Sequence, residues 1–176
     1  MVAGMEIFDV VDEQDRVIGQ APRTEVHARG WRHRAVHIWL FNPRGELFVQ
    51  KRAAGKDTFP NSWDSSASGH VDTGEEYDAC AVRELREELG MSLPVTALTR
   101  CFKITACADT GQEFVWVYRL VGDYRPIINP TEIAGGEFWS PAKLRAVIER
   151  EPASCARSFC RVWREFGACS GRDFPV

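Results

Sequence analysis

The alternation of apolar and polar positions predicts a series of short strands joined by turns. The clearest element is the apolar, β-prone run 35–41, which turn residues 42–45 connect to a second apolar stretch at 46–50. These residues predict a core-building hairpin. A smaller hairpin is expected at 7–19 and a loop at 51–63. Further strands are predicted at 65–71, 100–107, 113–121 and 138–139.

Helical spacing and terminal signals predict three helices and one short helical turn. The first helix is expected at about 76–89, with Gly90 ending it. The second begins at Pro141, with Ser140 as its cap, and ends near 150. A final helix is predicted at 154–166, and Thr24 is expected to cap the short turn. Strands interleaved with helices predict an α/β or α+β sandwich on a mixed sheet.

The length and composition of the chain favour one domain. With 176 residues, of which 44% are apolar, the chain can bury one substantial core. It contains no internal repeat and no break in composition that would indicate a boundary. We therefore predict a single domain over residues 1–176, with a core at about 6–166 and a flexible tail at 167–176.

Charge and cysteine content limit which binding partners and which cellular compartment are expected. The formal charge of −3 and an isoelectric point near 5.8 lack the basic excess that attracts nucleic acids or anionic membranes, so neither a stable nucleic-acid complex nor membrane association is expected. The first residues contain no apolar run typical of a signal peptide or spanning helix. Six cysteines without metal-ligand spacing are expected to be free thiols. These features indicate a cytoplasmic protein.

Acidic residues are concentrated in residues 69–91, which read GHVDTGEEYDACAVRELREELGM. On a wheel of about 100° per residue, Glu84, Glu87 and Glu88 share one face. A separate apolar arc, expected to pack on the sheet, consists of Ala79, Val82, Leu85 and Leu89. Like charges at this spacing repel, and a divalent cation with its preference for oxygen ligands would neutralise them. A solvated acidic face is the alternative interpretation.

The fixed positions of this stretch favour the metal site. The stretch has a glycine, an acid and then Arg83-Glu84-Leu85, Glu87-Glu88 and Gly90-Met91, and at these spacings it resembles the signature of the Nudix hydrolases without gap or mismatch. The resemblance implies an α/β/α sandwich with a mixed sheet. It also implies a loop–helix–loop site for Mg²⁺ or Mn²⁺ and hydrolysis of a diphosphate linkage in a small-molecule substrate.

Carried over by position, the resemblance implies roles for individual residues. Glu84, Glu87 and Glu88 are implied to be metal ligands, and Glu84 is also a candidate base. Glu75 is implied to support or orient the ligands, and Arg83 to hold the glutamates in place. Gly69 and Gly90 are implied to let the loop turn. Gly69, Glu75 and His70 are expected to contribute to cofactor binding.

The flanking residues narrow the resemblance to one branch of the family. Residues 8–12, 17–19, 33–35 and 59–63 resemble the branch that contains type I isopentenyl diphosphate isomerases and hydrolases similar to them. Those isomerases use a cysteine beside a glycine–histidine pair to move a proton at an allylic carbon. Ser68 stands at that position here. A hydroxyl is a far weaker acid than a thiol, whose pKa is about 8.5, so hydrolysis is favoured over isomerisation.

Several residues outside the motif have two open interpretations. His27, His33 and His70 resemble metal-binding histidines of those isomerases, or they are loop and core histidines satisfied by hydrogen bonds. Glu132 is the expected additional ligand or base in a late loop, with Glu137 as its competitor.

Aromatic and basic residues near the motif are similarly ambiguous. The aromatic group, which would stack on a base or serve packing, consists of Phe59, Trp63 and Trp116. The basic group, which would contact phosphate or remain solvated, consists of Lys51, Arg52 and Lys56.

Taken together, these features predict a Mg²⁺-dependent hydrolase with a small-molecule diphosphate substrate. The alternatives are an isopentenyl diphosphate isomerase and a Nudix domain that binds a nucleotide without turnover. Substrate identity depends on loops outside the motif and is not predicted. A homodimer is compatible with the sequence, which contains no feature that requires one.

Overall fold

The computed structural model describes residues 6–169, and the bounds below refer to that range. The strands are β1 Ile7–Val11, β2 Val17–Pro22, β3 His33–Phe41, β4 Leu47–Arg52, β5 Trp63–Asp64, β6 Ala67–His70, β7 Thr99–Ile104, β8 Glu113–Val121 and β9 Ile133–Trp139. The helices are α1 Arg23–Arg29, α2 Tyr77–Leu89, α3 Pro141–Arg150 and α4 Arg157–Cys169. Within the described range, no helix is both long and apolar enough to cross a bilayer.

Strand β3 is the centre of a seven-stranded mixed sheet. It pairs in parallel with β8 along its whole length, from His33 opposite Glu113 to Phe41 opposite Val121. It also pairs antiparallel with β6, while β7 joins β8 and both β5 and β9 join β4. Strands β1 and β2 form a separate hairpin, as the sequence predicts.

The two faces of β3 lie in two different cores. Alternate side chains, those of Val36, Ile38 and Leu40, pack against Leu85 and Leu89 of α2. The intervening side chains pack with α3 and α4, and they are Ala35, Trp39 and Phe41. Burial on both faces explains why β3 is almost continuously apolar. The predicted α/β/α sandwich with a mixed sheet is therefore confirmed.

The hairpin predicted at 35–50 forms only at its turn. Gly45 closes the turn by donating its N–H to the carbonyl of Asn42, but β3 and β4 pair at a single position, Phe41 with Leu47. Beyond that point the strands diverge, and Ser66 bridges them. Its hydroxyl accepts from the N–H of Leu40 at 2.8 Å and donates to the carbonyl of Phe48 at 2.5 Å. The predicted hairpin is therefore confirmed at its turn, but local turn signals do not specify how far the two strands stay paired.

Other boundaries differ for identifiable reasons. Helix α1 begins after Pro22 without a side-chain cap, so Thr24 is not its cap. Helix α4 begins at Arg157 rather than 154, because 152–154 form a 3₁₀ turn and the Ala156 N–H bonds to the carbonyl of Trp63 at 2.8 Å. The same helix continues through 169, into the segment predicted as a tail, and the rest of that segment lies outside the described residues.

The remaining predictions agree more closely with the structure. Strand β9 is longer than predicted because Gly136 lets it pass Phe48, whose ring would lie 2.2 Å from an added Cβ. Ser140 caps α3 as predicted. The five cysteines whose side chains are described are free thiols. The assignment of residues 1–176 to one domain stays a prediction.

Candidate active site

One cavity of about 760 Å³ collects most of the residues singled out by the sequence. It lies beside the edge of the sheet where β6 meets α2. Its carboxylates include Glu84, Glu87, Glu88 and Glu132, and its cations include Arg83. Acids from α2 therefore face the same space as residues from distant loops.

Glycine at position 69 lets α2 approach β6 closely. A Cβ atom on Gly69 would lie 2.0 Å from Oε1 of Glu84, well inside any real contact. The carboxylate therefore occupies the volume that a side chain would fill. At the other end of α2, Gly90 adopts a left-handed conformation with φ of 65° and ends the helix, as predicted.

The buried face of α2 is rotated relative to the apolar arc that the sequence predicts. Ala79 is exposed and Val82 is only half-buried. Glu84 and Glu88 are buried instead, whereas Glu87 is exposed. The predicted apolar arc was wrong because a helical wheel assigns carboxylates to the solvent-facing side. Here the space left by the absent side chain of Gly69 accepts the carboxylate of Glu84.

Arg83 connects three of the glutamates in the motif. Its Nε and one terminal nitrogen donate to both oxygens of Glu75 at 2.9 Å each. The other terminal nitrogen donates to Glu84 at 2.5 Å and to Glu87 at 3.1 Å. Burial would raise the pKa of Glu75, but the hydrogen bonds and charge of Arg83 prevail and lower it. The guanidinium thus fixes the positions of these carboxylates, as the resemblance implies.

Glu88 is held by two donors from the sheet. Its Oε2 accepts from Nε2 of Gln50 at 2.8 Å and from the backbone N–H of Ser68 at 3.1 Å. Gln50 is itself only 1% exposed, so the amide is fixed in place. Both donors use one oxygen, and this arrangement orients the carboxylate toward the cavity.

Both buried carboxylates have a raised pKa. Burial raises the pKa of Glu84 to about 7, although Arg83 opposes this shift. Burial, followed by the charge of Glu84, raises the pKa of Glu88 to about 8. Clustered oxygen ligands of this kind suit a hard divalent cation that also contacts phosphate. The residues present therefore fit Mg²⁺ or Mn²⁺.

The late loop delivers Glu132 to the same cavity. Backbone N–H groups of Ile127 and Asn129 donate to the carbonyls of Leu89 and Glu88, both at 2.9 Å, which attaches this loop to the end of α2. The Glu132 side chain forms an ion pair with Lys56. Its competitor, Glu137, does not line the cavity and pairs with Lys143 at 2.9 Å.

A histidine cluster lies at the other end of the cavity. Ring nitrogens of His27, His33 and His70 lie within 4.8 Å of one another. Nε2 of His70 lies 3.0 Å from Oε1 of Glu113, and Nε2 of His33 lies 3.6 Å from the same oxygen. Phe8 stacks on His33 and His70. Three imidazoles and one carboxylate form a donor set that suits a divalent transition metal.

Two nitrogens of this cluster have no hydrogen-bond partner among the described residues. Nε2 of His27 and Nε2 of His33 are buried without a hydrogen bond among the described residues. Burial also lowers the pKa of His27 to about 4, so the ring is neutral near pH 7 and retains a lone pair. Buried nitrogens without hydrogen-bond partners are compatible with metal ligands. Nδ1 of His33 lies 2.9 Å from the carbonyl oxygen of Trp31, so this ring is satisfied at its other nitrogen, and both interpretations of the histidines stay open.

Comparisons with known proteins identify the family of the chain. A model of the NUDIX domain matches residues 31–159, well over half of the chain. The chain belongs to the Nudix hydrolase family. A Nudix hydrolase of Streptomyces coelicolor, itself uncharacterized, is 50% identical over 148 residues, covering 82% of this chain and 80% of the relative.

Two further relatives connect this Nudix chain to the branch suggested by its flanks. The crystal structure of a Deinococcus radiodurans protein superposes with a TM-score of 0.80 at 34% identity, covering 91% of this chain and 98% of that one. An isopentenyl-diphosphate Delta-isomerase of Photorhabdus laumondii is 34% identical over 149 residues, covering 84% of each. Hydrolases and isomerases are thus both relatives, and the enzyme is a hydrolase by family.

Two residues of this Nudix site were missed by sequence reasoning. Gln50 lies in a strand where an isolated buried amide gives no motif signal. Glu113 begins β8 next to a predicted turn, so it reads as a surface acid until parallel pairing places it beside His33. The signal available in the sequence for Glu113 was an acid at the start of a mostly apolar strand.

The ambiguous aromatic and basic residues separate by position. Phe59, Arg52 and Lys56 line the cavity. Trp63 lies outside it, against Trp139 with ring centroids 4.8 Å apart. Trp116 and Lys51 also lie outside the lining. The guanidinium of Arg100 lies over the ring of Trp116, and the ammonium of Lys51 lies over the ring of Trp63.

Proposed function

We propose that this Nudix chain hydrolyses a diphosphate linkage in a nucleoside diphosphate derivative or a related organic diphosphate, with Mg²⁺ as its cofactor and Mn²⁺ as a substitute. One observation carries the proposal. Buried Glu84 and Glu88 and exposed Glu87 converge on one cavity, and both buried acids have a raised pKa that a cation would reverse.

Each residue of the site has a separate task in this proposal. Glu84, Glu87 and Glu88 would hold the ion, which supplies charge neutralisation for phosphate oxygens when bound. Arg83 positions the acids. Glu84, or Glu132 across the cavity, takes the proton from water as the water attacks phosphorus. Lys56 forms an ion pair with Glu132, and its ammonium group would contact a phosphate of the substrate.

The test is hydrolysis by Glu87→Gln and Glu88→Gln, which remove charge and keep shape. Each variant should lose most Mg²⁺-supported hydrolysis across a panel of nucleoside triphosphates, dinucleotides, nucleotide sugars and isopentenyl diphosphate. Circular dichroism should show an unchanged fold. Full activity in the double variant would exclude the assignment. Nucleotide binding by the wild type without turnover of any substrate would favour a binding domain instead.

Isomerisation of isopentenyl diphosphate is a second candidate, favoured by the histidine cluster beside Glu113. Ser68 argues against it because a hydroxyl is a poor carbon acid–base group. Monitoring the isomer in the same panel separates the two functions. Formation of the isomer without release of phosphate would favour the isomerase.

A further inference from the structure

His37 is a buried polar residue that the proposed reaction does not use. It lies in the middle of β3 and is 3% exposed, yet it lines the cavity. In the sheet it pairs directly with Ser68 of β6. The backbone N–H of Ser68 donates to Glu88, and Ser68, His37 and Glu88 all line the same cavity.

The hydrogen bonds behind the ring determine which nitrogen carries the proton. Nε1 of Trp39 donates to the hydroxyl of Ser65 at 3.2 Å, and Nδ1 of His37 lies 2.7 Å from the same hydroxyl. An indole N–H can only donate. Ser65 is fully buried, and Nδ1 is the one acceptor available for its single proton among the described residues. The hydroxyl therefore donates to Nδ1, and the ring proton lies on Nε2.

Asp64 does not alter this assignment. Its Oδ1 lies 4.0 Å from Nδ1 of His37, too far for a hydrogen bond. Oδ2 accepts from Arg52 at 3.1 Å, and Oδ1 accepts from the N–H of Ser65 at 2.7 Å. The acid is thus occupied by other donors. Burial lowers the pKa of His37, which favours the neutral ring.

The Nε2–H group has no acceptor among the described residues. Nε2 is open to the cavity that His37 lines, so a ligand bound there can accept this hydrogen bond. The same cavity contains the carboxylates of Glu84, Glu87 and Glu88, where the proposed diphosphate substrate would bind. Phosphoryl oxygens only accept hydrogen bonds, so they match a fixed donor.

We propose that His37 binds the substrate as a neutral hydrogen-bond donor, with Nε2–H directed to an anionic oxygen of the diphosphate group, and that the Trp39–Ser65 relay sets this tautomer. The proposal rests on the proposed function for the identity of the ligand. The tautomer itself rests on the buried relay alone. The two parts can therefore fail separately.

The tautomer is tested by long-range ¹H–¹⁵N spectra of the full chain labelled with ¹⁵N-histidine. The chain has four histidines, and His37→Gln identifies the signals of His37 by their loss. We expect a protonated Nε2 and an unprotonated Nδ1 in the wild type. Ser65→Ala should produce a mixture of tautomers. Ser66→Ala is the matched control, since that neighbouring buried serine bonds to Leu40 and Phe48 and should leave the tautomer unchanged. A protonated Nδ1 in the wild type would overturn the relay.

Substrate contact is tested with methylenediphosphonate and Mg²⁺, a diphosphate that cannot be hydrolysed. Binding should shift the Nε2 resonance of His37, and an unchanged resonance at saturation would overturn the contact. On a substrate found in the panel, His37→Leu should lower kcat/KM about 10- to 100-fold, mainly through KM. His37→Gln keeps a donor near the Nε2 position and should restore most of the loss. Equal losses in both variants would indicate a structural role only. The binding experiment gives a result even if no substrate is hydrolysed.

Discussion

The cavity has two ends with opposite chemistry. At one end, three glutamates of one contiguous stretch contact a single guanidinium, that of Arg83. At the other, Glu113 lies beside His33 and His70, whose imidazoles form a cluster with that of His27. The first end offers hard oxygen ligands, which suit Mg²⁺, and the second offers nitrogen ligands, which suit transition metals. The two groups of ligands therefore suit different ions.

The two ends also differ in how their atoms are satisfied. Each carboxylate at the first end has a donor, whereas two imidazole nitrogens at the second end have none among the described residues. The first end is organised before any ion arrives. The second is held at fewer of its atoms, through the contacts of His70 with Glu113 and of His33 with Trp31, and this difference makes the independence of the two ends testable.

Gly69→Ala should have the largest effect. The added methyl would meet the Glu84 carboxylate at 2.0 Å and displace it, and a shift of this size can cost about 100-fold in activity. Steady-state kinetics with Mg²⁺ measure the loss. Gly19→Ala is the control because a Cβ there meets nothing within 4 Å. Wild-type kinetics in Gly69→Ala would show that the close approach of α2 is irrelevant to the reaction.

Gln50→Leu should weaken Mg²⁺ activation by about 10- to 100-fold, because groups that orient metal ligands have effects of this order. The variant keeps the side-chain volume but removes the donor to Glu88. Titration of activity with Mg²⁺ gives the apparent affinity. Gln20→Leu, on the β1–β2 hairpin, removes an amide that bonds to Asp9 and should leave Mg²⁺ activation unchanged. Equal effects of the two variants would contradict the positioning role.

Glu113→Gln tests whether the ends act independently. Binding of Zn²⁺ or Mn²⁺ to the histidine cluster should weaken about tenfold, because the one acid between His33 and His70 is lost. Hydrolysis with Mg²⁺ should change by less than about threefold, within the scatter of single-residue effects. Calorimetric metal titration and kinetics measure the two quantities. A parallel loss of both would mean that the ends serve one reaction.

The smallest effect expected is on stability in metal-free buffer. The pKa of Glu84 and of Glu88 is raised on folding, so the folded state retains protons that the unfolded state releases. The free energy of unfolding should therefore fall as the pH rises from about 4.5 to 8, since ordinary glutamate titrates near the lower value. Thermal scans with chelator should show a Tm decrease of roughly 2–4 °C per kcal/mol lost. Added Mg²⁺ should suppress the decrease, and Glu88→Gln should reduce it without metal.

Sequence reasoning predicted the parts of this molecule that depend on neighbours along the chain. The limits of α2, its end at Gly90 and the cap at Ser140 were all predicted, because each depends on local backbone preferences. The motif glutamates were found for the same reason. Glu113, Gln50 and the divergence of β3 from β4 depend on pairing between distant strands. No local pattern specifies that pairing, so these features required the structure.

The strict alternation of β3 between the two cores has a consequence for evolution of the chain. Substitutions in this strand affect one layer at a time, but an insertion or deletion of one residue would shift every later side chain to the opposite face. After a deletion of one residue, Ile38 would take the position of His37, and Trp39 would enter the layer beneath α2. We therefore expect relatives to differ in the side chains of this strand and to keep its length.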